Sequence, residues 1–206
     1  MIIVVTQQKG GAGKSTIAAH LTLGAALRGA SVCLVDIDPQ GSLNAWHQLR
    51  SARADADQLQ QFAFKSIKGW QVEGELSSYK QRYDLVIVDT PPHANQDAKA
   101  SIRAADDIIV PMQPGPLDLW ASQSTVDLAH KYGKRPKILL NRVNSRAKLT
   151  AEISDQIRQK DVDLLDQTVG NRILFAEAMA QGLSVMEVQK NAQASREIMA
   201  VLDIIL

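Results

Sequence analysis

Residues 8–16 read Gln-Lys-Gly-Gly-Ala-Gly-Lys-Ser-Thr and follow the short apolar run Ile2-Ile3-Val4-Val5. That run is typical of a buried strand, and a helical pattern begins directly after the stretch. A glycine-rich loop between a strand and a helix, ending in Gly-Lys-Ser, lets backbone N–H groups surround a phosphate. The stretch therefore predicts a P-loop, although Gln8 stands where the common pattern has its first glycine.

The predicted loop offers both backbone and side-chain groups to a nucleoside triphosphate. Lys14 is expected to reach the β- and γ-phosphates, and Ser15 to bind Mg²⁺. The helix that follows adds its positive end. The loop residues predicted to bind nucleotide are Gly10, Gly11, Ala12, Gly13, Lys14, Ser15 and Thr16.

The rest of the chain alternates short apolar runs with amphipathic segments of helical length. This alternation predicts an α/β fold, a doubly wound and mostly parallel sheet flanked by helices, as one domain over residues 1–206. Strands are predicted at Ile2–Thr6, Ser31–Asp36, Phe62–Ile67, Asp84–Asp89, Asp107–Pro111, Lys137–Asn141 and near Asp163–Val169. A closing helix over Gln193–Leu206 is expected to pack on the sheet.

Carboxylates follow two of these strands, where the edge of the sheet should carry the P-loop. The second strand ends in Asp36-Ile37-Asp38-Pro39-Gln40. The fourth ends in Asp89, followed by Thr90-Pro91-Pro92, which is typical of a Walker B element whose carboxylate holds Mg²⁺ through water. We therefore expect Asp89 to lie beside Ser15.

Lys9 adds a second lysine to the loop, and K-G-G-x-G-K-[ST] resembles the deviant Walker A signature of the ParA/MinD family. The resemblance implies that Lys9 crosses a homodimer interface to the phosphates of the partner copy. It also implies that Asp38 orients the attacking water, that Asp36 supports the Mg²⁺ shell, and that Asn141 and Arg142 lie beside adenine. Catalytic roles are thus expected for Lys9, Lys14 and Asp38, metal roles for Ser15, Asp36 and Asp89, and ATP and Mg²⁺ as cofactors.

The chain is most similar to the small ParA type, which positions plasmids or other cargo with a ParB-like or cargo-adaptor partner. The P-loop begins too early to leave room for a helix-turn-helix domain before it. A MinD-like membrane-associated ATPase remains an alternative, although the sequence lacks the basic C-terminal amphipathic helix of that type, so we do not expect membrane binding. A metabolic ATP-dependent ligase of the same fold is a further alternative, against which Lys9 and the Asp-Pro-Gln motif argue.

The charge and the cysteine content limit which binding partners and which covalent links are expected. The net charge is +1, so a nucleic-acid partner must be met by a local patch, and the single Cys33 argues against disulfides. Residues 128–151 contain no acid but seven Lys and Arg residues, among them Arg142, Arg146 and Lys148. This block is the candidate surface for DNA bound without sequence preference; a solvated basic surface is the alternative. We expect a cytoplasmic, nucleoid-associated protein.

Overall fold

The computed structural model describes residues 1–93, 96–144 and 147–206. Its strands are β1 (Ile2–Val5), β2 (Val32–Asp36), β3 (Ala63–Ser66), β4 (Leu85–Asp89), β5 (Asp107–Met112), β6 (Lys137–Leu140) and β7 (Asp163–Leu164). Its α-helices are α1 (Lys14–Leu27), α2 (Ser42–Ser51), α3 (Val72–Arg82), α4 (Gln96–Ala104), α5 (Pro116–Lys131), α6 (Ala147–Arg158), α7 (Ile173–Ala180), α8 (Val185–Val188) and α9 (Gln193–Ile205). Within the described residues, the seven strands form one sheet in the order β3-β2-β4-β1-β5-β6-β7, and every pairing is parallel.

The central strands are apolar on both faces because helices cover both sides of the sheet. In β1, Ile3 and Val5 face the core that contains α1 and α9, whereas Ile2 and Val4 face the opposite core. All residues of β1, β2 and β4 are buried. A parallel sheet covered on both faces requires such continuous apolar strands. The predicted doubly wound fold is confirmed.

Strand register gathers the predicted site residues at the carboxyl edge of the sheet. Val5, the last residue of β1, is aligned with Asp89 of β4, and Asp89 is aligned with Asp36 of β2. The P-loop leaves the sheet directly after β1, whose neighbours on the two sides are β4 and β5. Ligands of open α/β sheets bind at such a point, where the strand order changes direction.

Two helices end where glycine permits a left-handed turn. Gly29 (φ 87°) ends α1 and Gly133 (φ 67°) ends α5. In both turns the residue after the glycine donates its N–H to a carbonyl of the last helical turn. Gly29 and Gly133 thus end the helices as predicted.

The structure differs from the predicted elements in two places. β7 ends at Leu164, and the chain beyond it forms a loop whose Gly170 makes an isolated bridge with Val143. Helix α9 is buried as expected, but it packs on α1 and α8. Gly24 permits this approach, because a Cβ built there would lie 2.4 Å from Leu202 Cδ1.

Candidate nucleotide-binding site

The P-loop is held in shape by glycine and by one asparagine. Gly11 (φ 75°) and Gly13 (φ 93°) both adopt left-handed backbone. A Cβ on Gly13 would lie 2.4 Å from Nδ2 of Asn141, the atom that donates a 2.8 Å hydrogen bond to the carbonyl of Ala12. Asn141 therefore braces the loop from the end of β6, and Gly13 leaves it the space to do so.

The loop shares one cavity of roughly 350 Å³ with the two switch segments, the stretches of chain that follow β2 and β4. Lys14, Ser15 and Thr16 line it from the start of α1, where the first intrahelical bond runs from Ile17 N to Gly13 O. The preceding N–H groups are therefore available to an anion. The remaining lining residues are Gly10, Gly11, Gly13, Asp38, Gln40, Ser42, Pro92, Arg142 and Met179.

Lys14 is the cation of this cavity. Its side chain is almost entirely buried. Burial lowers the pKa of Lys14, while the nearby carboxylates of Asp89 and Asp38 act in the opposite direction. A triphosphate in the cavity would add negative charge beside the ammonium and favour its charged form.

Ser15 and Asp89 meet as predicted. Ser15 Oγ donates a 2.6 Å hydrogen bond to Asp89 Oδ2, whereas Asp89 Oδ1 is buried and accepts no hydrogen bond from the described residues. Burial raises the pKa of Asp89 to about 7, against the lowering effect of the Ser15 hydrogen bond. A buried carboxylate oxygen without a donor, next to a hydroxyl, fits a Mg²⁺ shell.

The described residues contain no cluster of three or more His, Cys, Asp or Glu side chains suited to a metal ion. Mg²⁺ usually binds through one or two carboxylates together with substrate phosphates and waters, so it does not need such a cluster. Ser15 and Asp89 are the residues that would hold it here.

Asp36 and Asp38 form a small hydrogen-bonded turn. Asp36 Oδ1 accepts from the N–H of Asp38 (3.0 Å), and its Oδ2 accepts from the N–H of Asn44 (3.2 Å). Asp38 Oδ1 in turn accepts from Gln40 N (2.9 Å). Burial raises the pKa of Asp36, and its backbone donors oppose that effect. Asp36 thus shapes the turn that carries Asp38 to the cavity; its role toward Mg²⁺ stays a prediction.

Lys9 lies on the rim of the loop, with over a third of its side chain exposed. Its Nζ is 2.8 Å from Oδ2 of Asp118, in the first turn of α5. Asp118 is mostly buried, and its Oδ1 accepts no hydrogen bond from the described residues. No pattern in the sequence indicates that Asp118 pairs with Lys9, because the two residues are far apart along the chain.

A second cavity, of roughly 510 Å³, adjoins the first across Gly13, Thr16 and Arg142. Asn141 is buried beneath it with both polar groups in use, because Asn141 Oδ1 accepts from Arg142 N (2.9 Å). Arg142 adopts a positive φ of 53°, which is uncommon for a residue with a side chain. The other lining residues are Ile17, Gly170, Asn171, Arg172, Ile173, Phe175, Ala176 and Met179.

The second cavity has the character of a base site. Apolar side chains such as Ile17 and Phe175 line it together with polar groups, it lies beside the phosphate cavity, and Asn141 and Arg142, the residues expected beside adenine, border it. The sequence does not predict that residues 170–172 also line this cavity, because they belong to a loop that carries no recognisable motif.

Much of the basic block is neutralised within the chain. Arg135 forms ion pairs with Asp161 (3.2 Å) and Asp163 (2.8 Å), and Lys137 pairs with Asp107. Lys134 donates to the carbonyl of Ala105. Arg142 and Lys148 are exposed, and Arg146 lies outside the described residues. In the described part of the chain, no helix combines the length and apolarity that crossing a bilayer requires.

Comparison with known proteins agrees with this geometry. Residues 3–185 match the family described as CobQ/CobB/MinD/ParA nucleotide binding domain. The chain is 30% identical over 201 residues to the Maintenance of carboxysome distribution protein A of Halothiobacillus neapolitanus, covering 95% of this chain and 91% of that protein. It is 26% identical over 232 residues to the Sporulation initiation inhibitor protein Soj of Bacillus subtilis, covering 90% of each.

A solved structure is similar over nearly the whole chain. The septum site-determining protein MinD of Pyrococcus horikoshii, solved with Mg-ADP, superposes with a TM-score of 0.79 at 17% sequence identity, covering 99% of this chain and 95% of that one. At that level of sequence identity, the comparison concerns the fold alone. The two folds are alike over nearly the whole chain. Together with the match over residues 3–185, the shared fold and the assembled P-loop establish that this chain belongs to the CobQ/CobB/MinD/ParA nucleotide-binding family.

Proposed function

We propose that this chain is a Mg²⁺-dependent ATPase whose ATP-bound form pairs two copies, binds DNA without sequence preference and positions an intracellular cargo. The observation that carries the proposal is the common cavity of the P-loop, Asp38 and Pro92, next to a partly exposed Lys9 in the same loop. A cavity that holds phosphate alone would not need both switch segments.

The geometry supports a proposed role in hydrolysis for each of these residues. Lys14 and the N–H groups at the start of α1 bind the phosphates and stabilise the charge that develops on them. Ser15 and Asp89 hold Mg²⁺, whose charge offsets that of the phosphate oxygens. Asp38 orients the attacking water from the turn that Asp36 shapes.

Dimerisation is proposed to complete this site. Lys9 is partly exposed and stands at the mouth of the site, so its ammonium can leave Asp118 for the phosphates of a second copy. A lysine supplied in this way acts as an arginine finger does, and hydrolysis then depends on pairing.

A cargo-positioning role is supported by the relatives that span most of the chain, whose names refer to carboxysome distribution and to sporulation. The adaptor, a ParB-like or cargo-bound protein, would stimulate hydrolysis and so release the dimer. The DNA surface that we propose consists of Arg142, Arg146 and Lys148, and it would place the protein on the nucleoid.

Two variants test the proposed chemistry by separating binding from hydrolysis. Lys14→Ala should lose ATP-dependent dimerisation and turnover, because it removes the main side-chain charge on the phosphates. Asp38→Ala should keep ATP and remain dimeric while hydrolysis falls by about 10²–10⁴-fold, since only water positioning is lost. Sizing chromatography with ATP or ADP and a phosphate-release assay give both readouts.

The matched control is Asp166→Ala, an exposed acid that lines neither cavity, and it should behave as the wild type. Wild-type turnover by Asp38→Ala would remove Asp38 from the reaction. A wild-type chain that neither binds nor hydrolyses ATP would overturn the proposed function.

A further inference from the structure

Helix α9 contains one carboxylate on an otherwise apolar face. Glu197 is only 5% exposed and lies one turn before Val201, next to the fully buried Ile198. A buried charge is costly unless it is paired and hydrogen-bonded. Its partners therefore indicate what it is there to hold.

Four N–H groups donate to the two oxygens of Glu197. Oε2 accepts from Gly170 N (3.0 Å) and from Arg172 Nε (3.0 Å). Oε1 accepts from Arg172 Nη2 (2.5 Å) and from Gln193 Nε2 (3.3 Å). Burial would raise the pKa of Glu197, but the hydrogen bonds from Arg172 and Gly170 outweigh it, so the pKa is lowered. Three of these four donors belong to residues 170 and 172.

Residues 170–172 form the wall of the base cavity that faces Asn141. The same loop is tied to the segment after β6, because Asn171 N donates to Val143 O (2.9 Å) and Val143 N donates to Val169 O (3.0 Å). Hydrogen bonds therefore fix this wall from two elements, from Glu197 of α9 and from Val143 after β6.

Gly170 provides the space in which the Arg172 guanidinium lies. A Cβ built on Gly170 would be 3.0 Å from both Nε and Nη2 of Arg172. The pairing with Glu197 neutralises the guanidinium, so the part of Arg172 that lines the cavity carries no free positive charge. A flat, uncharged base fits such a wall.

We propose that Glu197 is a positioning residue for the base cavity: by fixing Gly170 and Arg172 from α9, it sets the affinity for the base of ATP without acting on the phosphates. The inference rests on the proposed function, in which the larger cavity takes the base. Helix α9 thereby contributes to the nucleotide site, although none of its residues lines the base cavity.

The test compares a ligand that has a base with one that lacks it. Glu197→Gln keeps the shape and removes the charge. The dissociation constant of this variant for ATP should rise about tenfold, because the charge-assisted hydrogen bonds of Glu197 are weakened. Its dissociation constant for inorganic tripolyphosphate should stay within about twofold of the wild-type value. Displacement of a fluorescent ATP analogue measures both, and KM for ATP should rise while kcat at saturation is kept.

A second variant leaves Glu197 intact. Gly170→Ala places a methyl group against the guanidinium and should weaken ATP binding, and not tripolyphosphate binding, in the same direction. It keeps the proposal open to refutation if Glu197→Gln fails to fold.

The matched control is Glu187→Gln. Glu187 likewise forms a two-pronged pair with an arginine, Arg50 (2.6 and 2.9 Å), and it lines neither cavity. Its loss should lower thermal stability and leave ATP affinity unchanged.

Three outcomes would count against the proposal. Unchanged ATP affinity in both test variants overturns it, and so does an equal loss for ATP and tripolyphosphate, which would indicate general loosening. A wild-type chain with no ATP affinity overturns the proposed function itself, and that result is seen before any variant is made.

Discussion

At the scale of the residue, the ammonium of Lys9 lies 2.8 Å from a carboxylate of its own chain, Asp118. Its proposed role is to reach the phosphates of a second copy, and it cannot occupy both positions. The ion pair with Asp118 therefore competes with dimerisation. Because Lys9 is more than one-third exposed, solvent screens the pair and limits its strength to about 1 kcal/mol or less.

Asp118→Asn should accordingly favour the ATP-bound dimer. With the competing charge removed, the ATP concentration needed for half-maximal dimerisation should fall, by up to about fivefold. Analytical ultracentrifugation over an ATP series measures it. Asp127→Asn, an exposed acid on the same helix, serves as the control and should change nothing. An Asp118→Asn chain that dimerised less readily than wild type would show that the pair prepares Lys9 instead of restraining it.

At the scale of the element, the central strands and the helix ends could be predicted because single local causes determine them. Continuous apolar runs indicate strands buried on both faces, and Gly29 and Gly133 stop helices whatever surrounds them. The Ser15–Asp89 contact was also predictable, since the strand register brings both to one edge. Glu197 and Asp118 were not, because each acts through a partner far away in sequence that no periodicity reveals.

The same limit applies to the basic block between α5 and α6. It contains no acid in sequence, yet in space the acids of β5 and β7 neutralise Lys137 and Arg135. Among the described residues of the block, Lys131, Arg142 and Lys148 are exposed, and Lys148 lies in the first turn of α6. Arg146→Glu with Lys148→Glu should therefore weaken duplex DNA binding in the presence of ATP, and each lost phosphate contact should reduce the slope of log K against log salt by about 0.9.

Filter binding to several random duplexes over a salt series provides the measurement. Lys65→Glu with Lys68→Glu makes the same charge change on exposed residues at the β3 edge of the sheet and should leave the slope unaltered. An unchanged slope in the first variant would exclude this surface. Binding to anionic vesicles in place of DNA would favour the membrane-associated alternative.

At the scale of the whole molecule, one buried histidine couples stability to pH. His20 of α1 is fully buried beside Phe175, with its Nδ1 2.7 Å from Thr16 O and its Nε2 without a partner among the described residues. Burial lowers the pKa of His20 to about 4, against the effect of the Thr16 carbonyl. Protonation would create a buried N–H with no acceptor.

The sign of the pH effect follows directly. Between the pKa of His20 in the unfolded chain, about 6.5, and that in the folded chain, about 4, the unfolded state binds more protons. The contribution of His20 to the free energy of unfolding should therefore fall as pH drops through this window, by up to about 3 kcal/mol. Asp89, whose pKa is raised to about 7 in the fold, contributes in the opposite direction over the same range. At still lower pH, Glu187 and Glu197, whose pKa values are lowered in the fold, become protonated. Their stabilising contribution to the free energy of unfolding is then lost as well.

Urea unfolding at several values of pH between 7 and 4.5, for wild type and for His20→Leu, tests this assignment. The wild type should lose stability relative to the variant as pH falls through this window, because only the wild type contains the titrating imidazole. Parallel curves for the two proteins would assign the effect to other groups.

The close packing of α9 on α1 through Gly24 has a consequence for synthesis. The two helices stand at opposite ends of the sequence, so at roughly 5–20 residues per second a ribosome produces α9 many seconds after α1. During that interval the groove of α1 around Gly24 lacks Leu202 and its neighbours. Until α9 has been made, this apolar groove is exposed and can contact other chains. The hydrogen bonds by which Glu197 is proposed to fix residues 170–172 also form only after α9 has been made.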